Sequence, residues 1–292
     1  MKTSTSSKPT PIRVAKQLVF ILGHPLGHTL SPLMHNAAFR SLGIPWAYGQ
    51  MDISPWEIQR AVECLRCPNV QGANITLPYK EEVLTFLDRV LMPADGLESV
   101  NTVFRRGKKL LGTSTDGEGF LRSLGSWRKK LKGSRGLIVG AGGSAKAVSG
   151  ALARSGVKGL FIVNRSFARA AHLAKLLSKR YPPLQTGVLP TWEGEFKLNQ
   201  CDWVVQTTPV GLERGDPSPF KLERARPGTL AVDLIYHRET AFLKAGRKQG
   251  LPTLGGLGML LNQGAISFEY WTGQKAPLSV MRKALREGLV ST

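Results

Sequence analysis

Along the first hundred residues, short apolar runs alternate with stretches whose apolar positions recur at helical spacing. QLVFIL (17–22) reads as a buried strand with a helix expected from Ser31, and WAYGQMDI (46–53) as a strand with a helix from Ser54. VQGANIT (70–76) reads as a third strand, which Pro78 ends while opening a helix. That rhythm predicts a parallel sheet covered by helices. Residues 98–115, ESVNTVFRRGKKLLGTST, break it with two short strands around a basic turn. A helix from Asp116 then leads into a Lys-rich stretch and Gly133, where the pattern restarts. RGLIVG, a helix, GLFIVN, another helix, CDWVVQTT and later TLAVDLIY form a second alternation. The helical region from Gly256 through Trp271 is placed to return to the first half. No repeat at solenoid periods is present.

The 292 residues, 42% of them hydrophobic, suffice for one large or two modest cores. No apolar run approaches the ~18 residues of a membrane span, and the polar residues 1–13 lack the apolar centre of a signal peptide, so a soluble, cytoplasmic protein is expected. Cys64 and Cys67 form a C-x-x-C, but only Cys201 remains to join them; a structural pair near a helix end is expected rather than a redox or metal site. The net charge of +20 makes nucleic acid a partner to consider. Its densest clusters, RRGKK (105–109) and RKKLK (128–132), are not interleaved with aromatics, and no nucleic-acid-binding module is visible. A solvated basic surface that favours anionic small ligands is the better reading, with a nucleic-acid-binding protein as the rival of a different class. Monomer and homodimer both remain open.

In LIVGAGGSAKA (137–147), a buried-strand run meets Gly140, Ala141, Gly142, Gly143 and Ser144 and passes into a helix. Within a βαβ-length unit, that is the context for a pyrophosphate at a helix N-terminus. The next strand ends in Asn164, Arg165 and Ser166, with Arg169 one turn on, and carries no acid to take ribose hydroxyls. Guanidiniums at that spot favour a 2′-phosphate, and a basic helix start is unfavourable unless an anion is present. NADP is the expected cofactor. The fold class is therefore α/β in two domains. Residues 1–115, completed by C-terminal helices over about 256–292, form an open, mostly parallel substrate and catalytic domain. Residues 116–255 form a Rossmann-type, doubly wound NADP domain.

Strand, tight turn, helix is also the context of Lys80, in ANITLPYK (73–80). Most lysines are surface charges. Open α/β sheets, however, place ligands beyond the carboxyl ends of their strands, where Lys80 falls.

These segments, with GHPLGHTLSPLMHNAAF (23–39), VNT (100–102), STDGEG (114–119), TTPVGL (207–212) and GLGMLLNQGAISFEYWTG (256–273), occur in an order that resembles the shikimate dehydrogenase family from about Gln17 to Gly273. The resemblance implies that Lys80 is the catalytic lysine and Asp116 its partner. It also implies that Thr29 and Ser31 hold a substrate carboxylate, and that Asn74, Thr76, Asn101, Tyr236 and Gln263 line the same site. The remaining dinucleotide contacts would include Thr207, Thr208 and Gly256. The implied reaction is the reversible NADPH-dependent reduction of 3-dehydroshikimate to shikimate, on the route to chorismate and aromatic amino acids. The alternative is a quinate/shikimate dehydrogenase or a paralogue acting on a related polyol acid. Thr29, Ser114, Gln206 and the pair His237-Arg238 depart from the family's usual residues.

The chemistry is coherent with those roles. Reducing a ring ketone requires a proton for the developing alkoxide, and an ammonium can polarise the carbonyl and donate it. A neighbouring carboxylate would orient the lysine, although Asp116 could instead cap the helix that it begins. Hydroxyls and amides without charge suit a polyol acid, since a missing substrate hydroxyl leaves buried partners unpaired. His24, His28 and His35 have spacings that a helix could use for a metal, but Pro25, Gly27 and Pro32 interrupt it, so no metal is expected.

Overall fold

The computed structural model describes residues 15–27, 29–92 and 97–290, with no account of the side chains of 192, 194 and 196. The polar stretch 1–13 and His28 therefore lie outside the described residues.

The first sheet is built from β1 (Gln17–Gly23), β2 (Trp46–Asp52), β3 (Val70–Ile75), β4 (Arg89–Val90), β5 (Thr102–Arg106) and β6 (Lys109–Thr113). Its order is β2-β1-β3-β5-β6-β4. The three strands β2, β1 and β3 are parallel, and the hairpin of β5 and β6 supplies the antiparallel member. Helices α1 (Ser31–Ser41) and α2 (Ile58–Cys64) belong to this half. Pro32 opens α1, where its missing N–H costs nothing.

Helix α3 (Asp116–Ser123) leads to the second sheet, formed by β7 (Arg135–Val139), β8 (Gly159–Val163), β9 (Gln185–Leu189), β10 (Trp203–Gln206), β11 (Leu230–Asp233) and β12 (Thr253–Leu254). All its pairs are parallel, in the order β12-β11-β10-β7-β8-β9. Counted within this half, that is the doubly wound dinucleotide-binding order, with its crevice where the order reverses beside β7. Its helices are α4 (Gly143–Arg154), α5 (Phe167–Arg180), α6 (Thr191–Lys197) and α7 (Ala241–Lys248). Strands β7 and β10 are buried on both faces, as their unbroken apolar runs require.

Helices α8 (Leu257–Thr272) and α9 (Leu278–Val290) return to the first half. On α8, Met259 joins the core that holds Ile138 and Val148, whereas Leu260, Leu261, Phe268 and Trp271 join the core around β1 and α1. On α3, Phe120, Leu121 and Leu124 pack into the second half's core. Helix α8 thus joins both cores, and α3 packs against it at Gly119 and Gln263.

Three local differences from expectation have physical causes. No α-helix starts at Pro78: residues 77–81 form a turn and a 3₁₀ helix follows at Glu82–Phe86. Tyr79 is drawn into the core there, fully buried, with its hydroxyl donating to the Ile53 carbonyl, and that anchoring replaces a regular first turn. The helix from Ser54 opens as a single 3₁₀ turn with a Ser54–Glu57 capping box before α2. Strands β9 and β12, at the two sheet edges, were not anticipated, because short, half-buried segments lack the long apolar runs of central strands. Cys64 and Cys67 are exposed, free thiols at the end of α2 and just beyond it. Among the described residues no helix is long and apolar enough to cross a membrane.

Candidate active site

The turn after β3 carries Lys80 to the mouth of a cleft of about 300 Å³ lined by both halves. The start of α3 brings Asp116 to the same place. Lys80 Nζ donates to Asp116 Oδ2 at 2.6 Å, and the side chains are only 15% and 5% exposed. Screening by water is weak at that burial, so the pair is held by a charge-assisted hydrogen bond. Thr115 is the N-cap of α3 and Asp116 is the first helical residue, so its carboxylate does not cap. Its second oxygen, Oδ1, accepts from Asn101 Nδ2 at 2.7 Å.

Asn101 organises what surrounds this pair. Its Nδ2 also lies 3.1 Å from Gln263 Oε1, and its Oδ1 accepts from the Thr115 backbone N–H at 2.7 Å. Behind it, Ser267 on α8 bonds Thr102 at 2.7 Å and Thr115 at 3.0 Å. Asn74 Nδ2 donates to Ser267 at 3.1 Å, while its Oδ1 accepts from the Tyr48 hydroxyl at 2.8 Å. Tyr48 also bonds Ser31, and burial pushes its phenol well above the ordinary range, keeping it neutral. Tyr236 bonds Thr29, and burial pushes its phenol up as well. Tyr48 and Ser267 were missed by sequence reasoning, since each sits in an apolar element and reads as packing.

All the residues predicted for catalysis and substrate line the cleft: Lys80, Asp116, Thr29, Ser31, Asn74, Thr76, Asn101, Tyr236 and Gln263. Of the predicted cofactor residues, Ser144, Thr207, Thr208 and Gly256 line it too. Ser144 accepts from Lys80 Nζ at 3.1 Å. Gln206, one of the departures, is fully buried and clasps the loop after β10: its amide donates to the Thr208 and Val210 carbonyls, and its oxygen accepts from Thr208 N–H. His237 bonds the Leu212 carbonyl at 3.0 Å, tying the Tyr236 segment to the same loop.

The glycine turn is shaped for an anion, and its glycines are needed for different reasons. Gly140 has φ +117°, and a side chain there would strike Thr207 Oγ1. At Gly143 a Cβ would press on Lys80 Cβ and Ser99 Oγ, so this glycine lets the two halves approach. Ala141 is buried in the core. Gly142 is the N-cap of α4 and offers no side-chain acceptor, and nothing would crowd a group beside it. The first N–H groups of α4 are therefore left for an anionic ligand, as a pyrophosphate would provide. At Gly256 a Cβ would overlap the Leu234 carbonyl, which by itself demands glycine.

Asn164, Arg165 and Ser166 follow the end of β8 and Arg169 lies in the first turn of α5, all outside the cleft lining. Asn164 Nδ2 donates to the Ser166 carbonyl at 2.9 Å, and Ser166 caps α5 through Arg169 N–H. The Arg165 side chain is exposed and makes no ion pair among the described residues. The Arg169 guanidinium reaches over to Glu81 at 2.9 Å, an anion that the sequence pattern gave no sign of. His24 pairs with Asp52, and His35 lies fully buried in an aromatic stack. Among the described residues no group of three metal-ligating side chains comes together.

A doubly wound dinucleotide-binding half facing a lysine–carboxylate pair across a cleft defines a two-domain α/β oxidoreductase. Models of three parts of one family match the chain in order: the shikimate dehydrogenase substrate binding domain over residues 21–103, shikimate / quinate 5-dehydrogenase over 124–208, and the shikimate 5′-dehydrogenase C-terminal domain over 256–286. The shikimate dehydrogenase (NADP(+)) of Halothermothrix orenii is 40% identical over 280 residues, covering 94% of this chain and 96% of that protein. The structure of shikimate 5-dehydrogenase from Thermus thermophilus in complex with NADP(H) and shikimate superposes with a TM-score of 0.82 at 36% identity, covering 93% of this chain and 99% of that one. Quinate dehydrogenase from Corynebacterium glutamicum in complex with NAD gives a TM-score of 0.85 at 29% identity, covering 93% and 99%. The chain belongs to the shikimate dehydrogenase family.

Proposed function

We propose that this protein catalyses the reversible, NADP-dependent reduction of 3-dehydroshikimate to shikimate. The observation that carries the reading is the Lys80–Asp116 pair, buried at the cleft beside the uncapped start of α4. NADPH, when bound, supplies the hydride. Lys80 polarises the substrate carbonyl and gives its Nζ proton to the oxygen as the alcohol forms; in the reverse direction the neutral amine takes the alcohol's proton. Asp116 holds the lysine by one oxygen and is itself fixed by Asn101, so the ammonium is oriented before substrate arrives. Thr29, Ser31 and Tyr236 offer hydroxyl donors for the carboxylate, while Asn74, Thr76, Asn101 and Gln263 offer partners for ring hydroxyls. The +20 charge suits a polyanionic cofactor and an anionic substrate. Residues 1–115 with 256–292 act as the substrate side and 116–255 as the cofactor side of a cytoplasmic enzyme.

For the cofactor, the residues present fit NADP: β8 ends without an acid, and Arg165 and Arg169, which follow it, would supply the cations that a 2′-phosphate needs. Quinate is the second reading, favoured by the likeness to the quinate dehydrogenase structure. The test is nicotinamide reduction in a four-way cross of shikimate or quinate with NADP or NAD. Turnover confined to shikimate with NADP is expected. Equal rates with quinate or with NAD would replace it by the broader reading, and no turnover in any combination would overturn both.

A further inference from the structure

Glu81, the residue after Lys80, carries a carboxylate that the reaction does not use. Its two oxygens hold two cations of the other half: Oε1 accepts from Arg169 at 2.9 Å and Oε2 from Lys146 Nζ at 2.8 Å. These two partners differ in what they lose by letting go. Lys146, in the first turn of α4, is 4% exposed and is shared with Glu98 at 3.2 Å; Glu98 in turn meets His172 of α5 at 2.8 Å. Arg169 is 59% exposed, and no second carboxylate holds it among the described residues. It sits in the first turn of α5, where the helix dipole makes a cation costly without an anion nearby. Glu81 is that anion in this structure.

We propose that Glu81 is an internal stand-in for the cofactor's 2′-phosphate, holding Arg169 until the phosphate takes it and thereby setting how far NADP is preferred over NAD. The proposal rests on the reading of Arg169 as a 2′-phosphate partner. A phosphate can take a guanidinium with two parallel hydrogen bonds, whereas Glu81 takes Arg169 with a single oxygen. The phosphate therefore wins, but only after the existing pair is broken. NAD brings no such group and leaves Arg169 on Glu81, so its affinity carries no such cost.

The experiment is a calorimetric titration of NADP⁺, 2′,5′-ADP and NAD⁺ into the wild type, Glu81→Gln, Arg169→Gln and the double variant at low ionic strength. A half-exposed ion pair corresponds to about two- to fivefold in binding, so Glu81→Gln is expected to tighten NADP⁺ and 2′,5′-ADP by that factor, to leave NAD⁺ unchanged, and to have no effect in the Arg169→Gln background. Unchanged or weaker NADP⁺ binding by Glu81→Gln, while Arg169→Gln still weakens NADP⁺ selectively, overturns the proposal and leaves the reading of Arg169 standing. Tightening of equal size in both backgrounds also overturns it, since a general field effect would suffice. Arg169→Gln with an unaltered NADP⁺ to NAD⁺ ratio overturns both. If Glu81→Gln does not fold, Glu81→Asp, which shortens the reach to Arg169 and keeps a charge for Lys146, is expected to act in the same direction, and no tightening there counts against the proposal.

Discussion

Lys80 and Ser144 meet across the cleft, the lysine Nζ donating to the serine Oγ at 3.1 Å. Ser144 stands in the first turn of α4, so the lysine proposed as proton donor in one half is tethered to the helix start proposed to bind the cofactor in the other. With Asp116 on its second side, the Lys80 Nζ is held between the start of α3 and the start of α4.

Lys80→Met keeps the aliphatic stem and removes the proton donor. Turnover is expected to fall by about 10²- to 10⁴-fold, the usual contribution of a positioned acid or base. NADP⁺ affinity, read by fluorescence titration, is expected to change little, because that binding is proposed to rest on the uncapped turn of α4 and on Arg165 and Arg169. Near-normal kcat would remove Lys80 from the chemistry.

Lys80 and the glycine turn were legible because each depends on local rules: a proline that stops a strand, and glycines where a strand meets a helix. The hydroxyl network behind them was not. Asn74 reaches Ser267, and Tyr48 reaches both Asn74 and Ser31, through chain folding that joins distant segments. Nothing in WAYGQMDI sets Tyr48 apart from its apolar neighbours. The same holds for Glu81, whose partners Arg169 and Lys146 are contributed by helices of the opposite half. The turn at 77–81 was misread as a helix because the burial of Tyr79, which decides it, is a tertiary effect.

Arg165 and Arg169, replaced together by Gln, test the cofactor reading. Charge-assisted hydrogen bonds to a phosphate contribute about 1.5–3 kcal/mol each, so NADPH binding is expected to weaken by at least about tenfold while NADH binding stays close to wild type. Titration of both nucleotides reads the ratio. Equal losses would mean that these arginines do not face the 2′-phosphate.

Helix α3 lies against α8 so closely that a Cβ on Gly119 would stand 2.6 Å from the Gln263 backbone nitrogen and 2.8 Å from its Cα. Backbone cannot yield as a flexible side chain can. Gly119→Ala is expected to cost about 1–3 kcal/mol of stability by overpacking, seen as a lower urea midpoint. Because the same displacement moves Asp116 and Gln263 apart, kcat/KM should fall in the folded variant as well. An unaltered midpoint would show that α3 and α8 are less tightly coupled than their spacing implies.

His35 lies fully buried, stacked on Tyr48 at 4.5 Å and edge-on to Trp271 at 5.2 Å, with no hydrogen-bond partner for either ring nitrogen. Burial disfavours the imidazolium and pushes the pKa down to about 3, against an ordinary value of 6.5. Between those values the unfolded chain binds a proton that the folded chain does not. Stability from this group is therefore complete above pH 6.5 and is lost as pH falls through the window toward 3. Going from about pH 7.5 to about pH 5, His35 should cost on the order of 2 kcal/mol. His35→Phe keeps a stacking ring and removes the proton, and any misfit against Tyr48, Phe268 and Trp271 adds an offset that does not depend on pH. Asp233 acts in the opposite sense: burial pushes its pKa up to about 6, so its contribution to stability falls as pH rises from 3.8 through 6. That slope is common to both proteins and cancels in the difference between them. Urea unfolding at the two pH values should thus show the variant gaining on the wild type as the solution is acidified. A difference that stays constant with pH would mean that His35 binds its proton equally well in the folded and unfolded chains.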